Sequence, residues 1–112
     1  MNPQVSYPAV TEDLLAELLR RILSVGSPQK VVLFGSRGRG EARGDSDLDI
    51  LIVEESALPR YRRPVAYLRA LRGLFPAKDI VVYTPAEVAE WSQVANAFVT
   101  TALREGKVLY AK

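Results

Sequence analysis

The sequence predicts an α/β fold, a single domain over residues 1–112, with strands and helices alternating around one core. Three observations lead there. Apolar runs at Val31–Phe34, Leu48–Val53 and Ile80–Val82 are short, rich in β-branched residues and bounded by glycine or charge, so they read as buried strands. The segments between and before them carry apolar residues at helical spacing. A chain of 112 residues, 48% hydrophobic and 25% charged, matches one small soluble domain.

The elements follow in order. Residues 1–10 hold two prolines and no periodicity, and read as an irregular lead-in. Thr11 has the chemistry of a helix cap, with Glu12 and Asp13 in the first turn where the helix dipole favours negative charge. Leu14, Leu15, Leu18, Leu19, Ile22 and Leu23 repeat on one face, and Gly26 and Pro28 stop the helix. The strand Val31–Phe34 comes next, then a polar, glycine-rich loop in which Ser36–Gly40 is expected to form one helical turn, then the strand Leu48–Val53. Arg60–Leu74 reads as a helix that begins properly near Pro64. Val65, Leu68 and Leu71 are its expected apolar stripe, and Gly73 and Pro76 its stop. Its arginines Arg62, Arg63, Arg69 and Arg72 form either a solvated face or a contact for an acidic partner or nucleotide. Asp79–Tyr83 is the third strand. Thr84-Pro85-Ala86-Glu87 is a capping box with proline at the first helical position. The helix that follows should point Val88 and Trp91 inward. A break near Ser92–Asn96 separates it from a helix carrying Phe98, Val99, Ala102 and Leu103 and ended by Gly106. Val108–Tyr110 is a short final strand or a docking tail.

Composition removes several chemistries. There is no cysteine, hence no disulfide framework and no thiolate chemistry. There is no histidine, which excludes imidazole metal sites and histidine acid–base mechanisms. No apolar run reaches the length of a membrane span, and the first residues lack a basic-then-apolar signal pattern, so a cytoplasmic location without membrane contact is expected. Eleven of the fifteen cations are arginine, yet the net charge is only +2, which argues against nucleic acid as a partner. Two short motifs in the loop are decoys. Arg43-Gly44-Asp45 spells an integrin-binding tripeptide, and Arg37-Gly38-Arg39-Gly40 a single RGG-like repeat. The loop is not a Walker A either, because no Gly-Lys-Ser/Thr follows Gly35 at the required spacing.

The chemistry concentrates between Val31 and Val53. Asp47 and Asp49 sit two apart at the mouth of an apolar strand, where i and i+2 face the same way. Two like charges that close repel, and burying them is costly without a cation. A divalent metal such as magnesium, which takes oxygen ligands, is the natural compensator. The turn-rich Gly44-Asp45-Ser46-Asp47 leaves a plain turn open as the alternative. Gly35-Ser36, directly after a strand, lets backbone amides and a hydroxyl approach a phosphate. Phosphate, magnesium and paired aspartates together describe phosphoryl or nucleotidyl transfer. Asp79 again opens an apolar run, either as a ligand or as an ordinary strand-entry residue.

Gly35-Ser36, ten residues, then Asp47-Leu48-Asp49 resembles the signature of the DNA polymerase β-like nucleotidyltransferase superfamily, over roughly Val31 to Val82. The chain's size and its Asp79 strand are similar to the minimal nucleotidyltransferase (MNT) branch, many of whose members are MntA-type antitoxins paired with a HEPN-domain toxin. The resemblance implies a nucleotidyltransferase fold, a mixed β-sheet with helices mainly on one face and the motif at an open edge. It implies two Mg2+ ions held by Asp47, Asp49 and Asp79, with ATP as substrate. One ion would hold the triphosphate and the other would activate an acceptor hydroxyl for attack on the α-phosphorus, releasing pyrophosphate. Gly35 and Ser36 would hold the terminal phosphates, and Arg37 or Arg39 would neutralise the leaving pyrophosphate. Little chain remains to enclose a small-molecule acceptor. The resemblance therefore implies transfer of AMP to a tyrosine of a HEPN toxin, forming a hetero-oligomer. A binding-only antitoxin acting by occlusion, and a transferase acting on a small molecule, are the alternatives.

Overall fold

The structure, a computed structural model, describes residues 12–34, 48–74, 78–94 and 98–112. The side chains of Leu48, Lys78 and Phe98 lie outside that description, as do the expected Thr11 cap and the Ser36–Gly40 turn. The elements are α1 (Glu12–Val25), β1 (Lys30–Phe34), β2 (Leu48–Val53), a 3₁₀ turn (Arg60–Arg62), α2 (Val65–Ala70), β3 (Lys78–Tyr83), α3 (Pro85–Trp91), α4 (Phe98–Glu105) and β4 (Lys107–Ala111).

The four strands form one mixed sheet in the order β3-β2-β1-β4. β1 runs antiparallel to both β2 and β4. β2 and β3 are parallel, and the 3₁₀ turn and α2 lie in the connection between them, as a parallel pair requires. The expected mixed α/β sheet is therefore present, and the final segment is a strand paired with β1.

Alternation along each strand splits the apolar residues between two faces. The larger cluster joins Val31, Leu33, Ile50, Ile52, Ile80 and Val82 to residues of α1 and α2. The smaller, on the opposite face, joins Val32 and Leu51 to Val99 and Ala102 of α4, with Phe34, Val81, Tyr83 and Val88 packed against it. The core thus lies mainly under α1 and α2.

Helix orientation departs from the sequence pattern in three places. In α1, Leu15, Leu18 and Ile22 are buried at i, i+3, i+7, and Leu23 lies about 100° further round and is exposed. In α2 the expected stripe of Val65, Leu68 and Leu71 is rotated. Tyr67 and Leu71 are buried, while Val65 and Leu68 are each 41% exposed. The helix is also shorter than Arg60–Leu74: a 3₁₀ turn precedes Pro64, and Gly73 at φ 90° takes the left-handed conformation beyond its end. In α3, Trp91 is partly exposed rather than inward, and Val88 alone of the expected pair packs against the smaller cluster.

Two side chains explain the rotation of α2. The Tyr67 hydroxyl donates to Glu54 Oε1 at 2.5 Å, and Ser27 N donates to Glu54 Oε2 at 2.8 Å. Burial, reinforced by the Glu54 carboxylate, pushes the Tyr67 phenol above its usual range and keeps it a neutral donor. One turn earlier the Arg63 side chain, 10% exposed, points inward. Its Nη1 donates to Glu87 Oε1 at 2.7 Å and Val82 O at 3.1 Å, and its Nε to Leu58 O at 2.9 Å. Arg63 is therefore a structural tie between the 3₁₀ turn, β3 and α3, not part of a solvated face.

Glu87 closes the expected capping box: Thr84 N donates to Glu87 Oε1 at 2.9 Å, and Glu87 N to Thr84 Oγ1 at 3.2 Å. The Arg63 guanidinium, first among several donors, holds the Glu87 carboxyl at about 2 rather than its ordinary 4.5. Its contribution to stability is complete above about pH 4.5 and is lost as pH falls toward 2. Glu87→Gln keeps an acceptor for Thr84 but leaves Arg63 without its counter-charge. We expect a loss of roughly 2 kcal/mol at pH 7, shrinking steadily below about pH 4.5 to a small fraction of that near pH 2.5. Urea unfolding at both pH values checks this, and an equal loss at both would refute it.

Gly106 turns the chain from α4 into β4. A Cβ there would meet Ala102 O at 2.6 Å and Leu33 O at 2.8 Å, both backbone atoms that cannot swing aside. Gly106→Ala is expected to cost roughly 1–3 kcal/mol, read as a lowered denaturation midpoint. An unchanged midpoint would mean that β4 moves aside freely.

Candidate active site

Asp49 and Asp79 are Cα partners across the parallel β2–β3 ladder, whose six pairs run without a slip from Leu48↔Lys78 to Val53↔Tyr83. Residues paired across a ladder share a face, and neighbouring strands lie about 4.8 Å apart. The two carboxylates therefore project side by side. On the other flank of β2, Phe34 is the partner of Asp49. All three lie on the same face as Leu51 and Val81, the α3/α4 side, at the end of the ladder where β2 and β3 begin. Asp49 is half-buried and Asp79 exposed, so the pair straddles the boundary between the sheet and solvent. Among the described residues β3 is the outer strand, which puts Asp79 at an edge of the sheet.

Apolar register explains this placement. Ile50 and Ile52 of β2, with Ile80 and Val82 of β3, are buried against α1 and α2. Sliding either strand by one residue would turn those side chains to the other face. Holding the isoleucines down holds Asp49 opposite Asp79.

The remaining candidates, Gly35, Ser36, Arg37, Arg39 and Asp47, lie outside the described residues. In the sequence Gly35 follows Phe34 directly, and Asp47 stands two residues before Asp49. Among the described residues no cluster of three metal-ligating side chains occurs. The third carboxylate of the expected set is Asp47. The donor set itself fits magnesium, because both described members are carboxylates and hard cations take oxygen ligands. Phe34, not singled out from the sequence, is the apolar neighbour of Asp49; its place directly before Gly35 was the signal.

A cavity of about 650 Å³ lies elsewhere, lined by Lys30, Val53, Pro85, Val88 and Leu103 among others. The Lys30↔Val53 pair is at the far end of the β1–β2 ladder from Phe34↔Asp49, about 13 Å along the strand. None of its described lining residues has an acidic side chain, and that distance sets it apart from Asp49 and Asp79.

A mixed sheet that sets two aspartates side by side, with a Gly-Ser pair next in the chain, is the layout of a domain that transfers phosphoryl or nucleotidyl groups. The chain belongs to the nucleotidyltransferase domain family, whose profile matches residues 14–110. No curated protein matches it in sequence. Among solved structures, a toxin–antitoxin complex with AMP-PNP aligns with a TM-score of 0.63 at 19% identity, covering 88% of this chain and 73% of that one. A candidate nucleotidyltransferase from Sulfolobus solfataricus aligns with a TM-score of 0.55 at 28% identity, covering 70% of each chain. A mutant of the toxin–antitoxin pair MntA–HpeT aligns with a TM-score of 0.53 at 20% identity, covering 92% of this chain and 75% of that one. At these identities the two toxin–antitoxin structures bear on the fold.

Proposed function

We propose that residues 1–112 act as a single minimal nucleotidyltransferase domain that transfers AMP from ATP to a tyrosine hydroxyl of a HEPN-domain toxin, and so serve as its antitoxin in the cytoplasm. The observation that carries the reading is the in-register Asp49/Asp79 pair in a chain of this family. Support for the partner comes from the toxin–antitoxin structures that share the fold, one of them bound to an ATP analogue. The MntA–HpeT mutant replaces two aspartates two residues apart, the spacing of Asp47 and Asp49 here. Among the described residues no helix is long and apolar enough to cross a membrane.

The roles divide by chemistry. Asp47, Asp49 and Asp79 supply the oxygen donors for Mg2+. Bound there, the metal neutralises the triphosphate and favours ionisation of the acceptor hydroxyl. Gly35 and Ser36 offer amides and a hydroxyl to the phosphates, and Arg37 and Arg39 supply positive charge for the departing pyrophosphate. Because Asp79 sits on the outer strand, an acceptor carried by another protein reaches the site from that edge without displacing the core.

The test is incubation with α-labelled ATP, magnesium and the protein encoded by the adjoining reading frame, followed by intact-mass and peptide analysis. The expected result is one AMP adduct, 329 Da heavier, on a partner tyrosine, a mass fixed by the transferred group's composition, roughly that of AMP less water. Binding without an adduct would support neutralisation by occlusion instead.

A further inference from the structure

The outer surface of the 3₁₀ turn and α2 has no role in the proposed transfer, yet its composition is unusual. Tyr61, Val65 and Leu68 follow i, i+4, i+7 along a backbone that stays helical through Arg63 and Pro64. All three are exposed, Tyr61 at 79%, and Leu58 beside them at 48%. The inward positions are filled by Arg63, Tyr67 and Leu71, so no rotation of the helix could bury the outer row without expelling those.

Charge on this surface is one-sided. No acidic residue occurs between Glu55 and Asp79, while Arg60, Arg62, Arg63, Arg69, Arg72 and Lys78 do. Arg60 and Arg63 are committed to Glu87. Arg62, Arg69 and Arg72 are exposed and have no ion-pair partner among the described residues.

We propose that this row is the docking surface for an acidic amphipathic helix of the partner protein, the same partner named in the functional reading above. An aliphatic row at helical spacing suits a packed helix. Tyrosine and arginine are the residue types enriched at interface hot spots, and unpaired arginines select an acidic partner and speed its approach. A second copy of this chain is disfavoured, because a self-complementary contact would set an all-cationic face on itself. Nucleic acid is disfavoured because Leu58, Val65 and Leu68 offer nothing to phosphates. The 3₁₀ turn and α2 both pack against β3, on the face of the sheet opposite Asp49 and Asp79, so a helix gripped here leaves the acidic site uncovered.

The test uses two surface double variants, Tyr61→Ala with Leu68→Asp, and Arg62→Glu with Arg69→Glu, and the protein encoded by the adjoining reading frame as the probe. Calorimetry should show the first pair binding at least about 100-fold more weakly. The second should bind at least about 10-fold more weakly at low salt, with the gap closing near 0.5 M NaCl. Unchanged melting temperatures exclude unfolding as the cause. Wild-type affinity in both variants, no binding by the wild-type chain, or tighter binding of a single-stranded RNA lost only with the arginines would each overturn the proposal. A wild-type chain that binds through this row yet transfers no AMP sinks the catalytic reading and leaves the docking surface standing. Transfer by variants of unchanged affinity does the reverse.

Discussion

Replacing Asp47 and Asp49 together by asparagine is expected to lower nucleotidyl transfer by at least about 10³-fold, on the scale of removing a group that stabilises developing charge, and to leave the protein folded. Asp49 stands opposite Asp79 in the β2–β3 ladder, and asparagine fills nearly the same volume. Like charges directly opposite one another across a ladder destabilise it by roughly 0.2–1 kcal/mol. Without divalent metal, therefore, the double variant should melt at the wild-type temperature or slightly above. With magnesium and ATP the order should reverse, because the wild-type chain gains from ligands that the variant no longer holds. Melting curves in chelator and in Mg-ATP, with single-turnover transfer alongside, give the result. Transfer at the wild-type rate would remove Asp47 and Asp49 from the site. A collapse of the fold in chelator would make the pair structural instead.

Asp79→Asn is expected to slow transfer by roughly 10²-fold or more while changing ATP affinity little. Asp79 is exposed on the outer strand and opens it, whereas Asp49 is half-buried between β1 and β3. A donor at that edge faces the arriving acceptor, and Asp47, Asp49 and Ser36 still hold the nucleotide. An interaction that strengthens only as the hydroxyl ionises lowers turnover without altering the ground state. Ser36→Ala should show the opposite emphasis, since a phosphate contact exists before and during reaction. Calorimetry with ATP and single-turnover transfer at saturating acceptor separate the two. Equal losses of rate and affinity in Asp79→Asn would end this division of labour. An unchanged rate would return Asp79 to being an ordinary strand-entry residue.

Much of this was legible before any coordinates, for local reasons. The strand Leu48–Val53 follows from the apolar stretch Ile50–Val53, and α3 from the Thr84–Glu87 box, whose two hydrogen bonds join residues three apart. The breaks at Gly26 and Gly106 follow the same short-range logic. The Asp47/Asp49 spacing pointed to a charged strand mouth without any knowledge of neighbours. Helix facing was less legible. The spacing of Val65, Leu68 and Leu71 is a good stripe, but Tyr67 and Arg63 compete for the same inward direction and win. Glu54 and Glu87 hold them there, from 13 and 24 residues away in the chain. Periodicity counts apolar residues and gives no weight to a tyrosine or arginine whose polar end finds a partner.

By itself, then, the sequence determined where the chain runs extended or helical, which residues carry oxygen donors and charge, and that no thiol or imidazole takes part. Only the tertiary structure decided that β4 pairs with β1, that β2 and β3 run parallel, and that Asp49 meets Asp79. It also decided that Arg63 turns inward while Tyr61, Val65 and Leu68 face out. The reason is the range of the interactions. A strand's existence is decided by its own residues. Its partner and register are decided by which faces can be buried together, and here that is the joint packing of Ile50, Ile52, Ile80 and Val82 beneath α1 and α2, four residues drawn from two strands that are thirty positions apart in the chain.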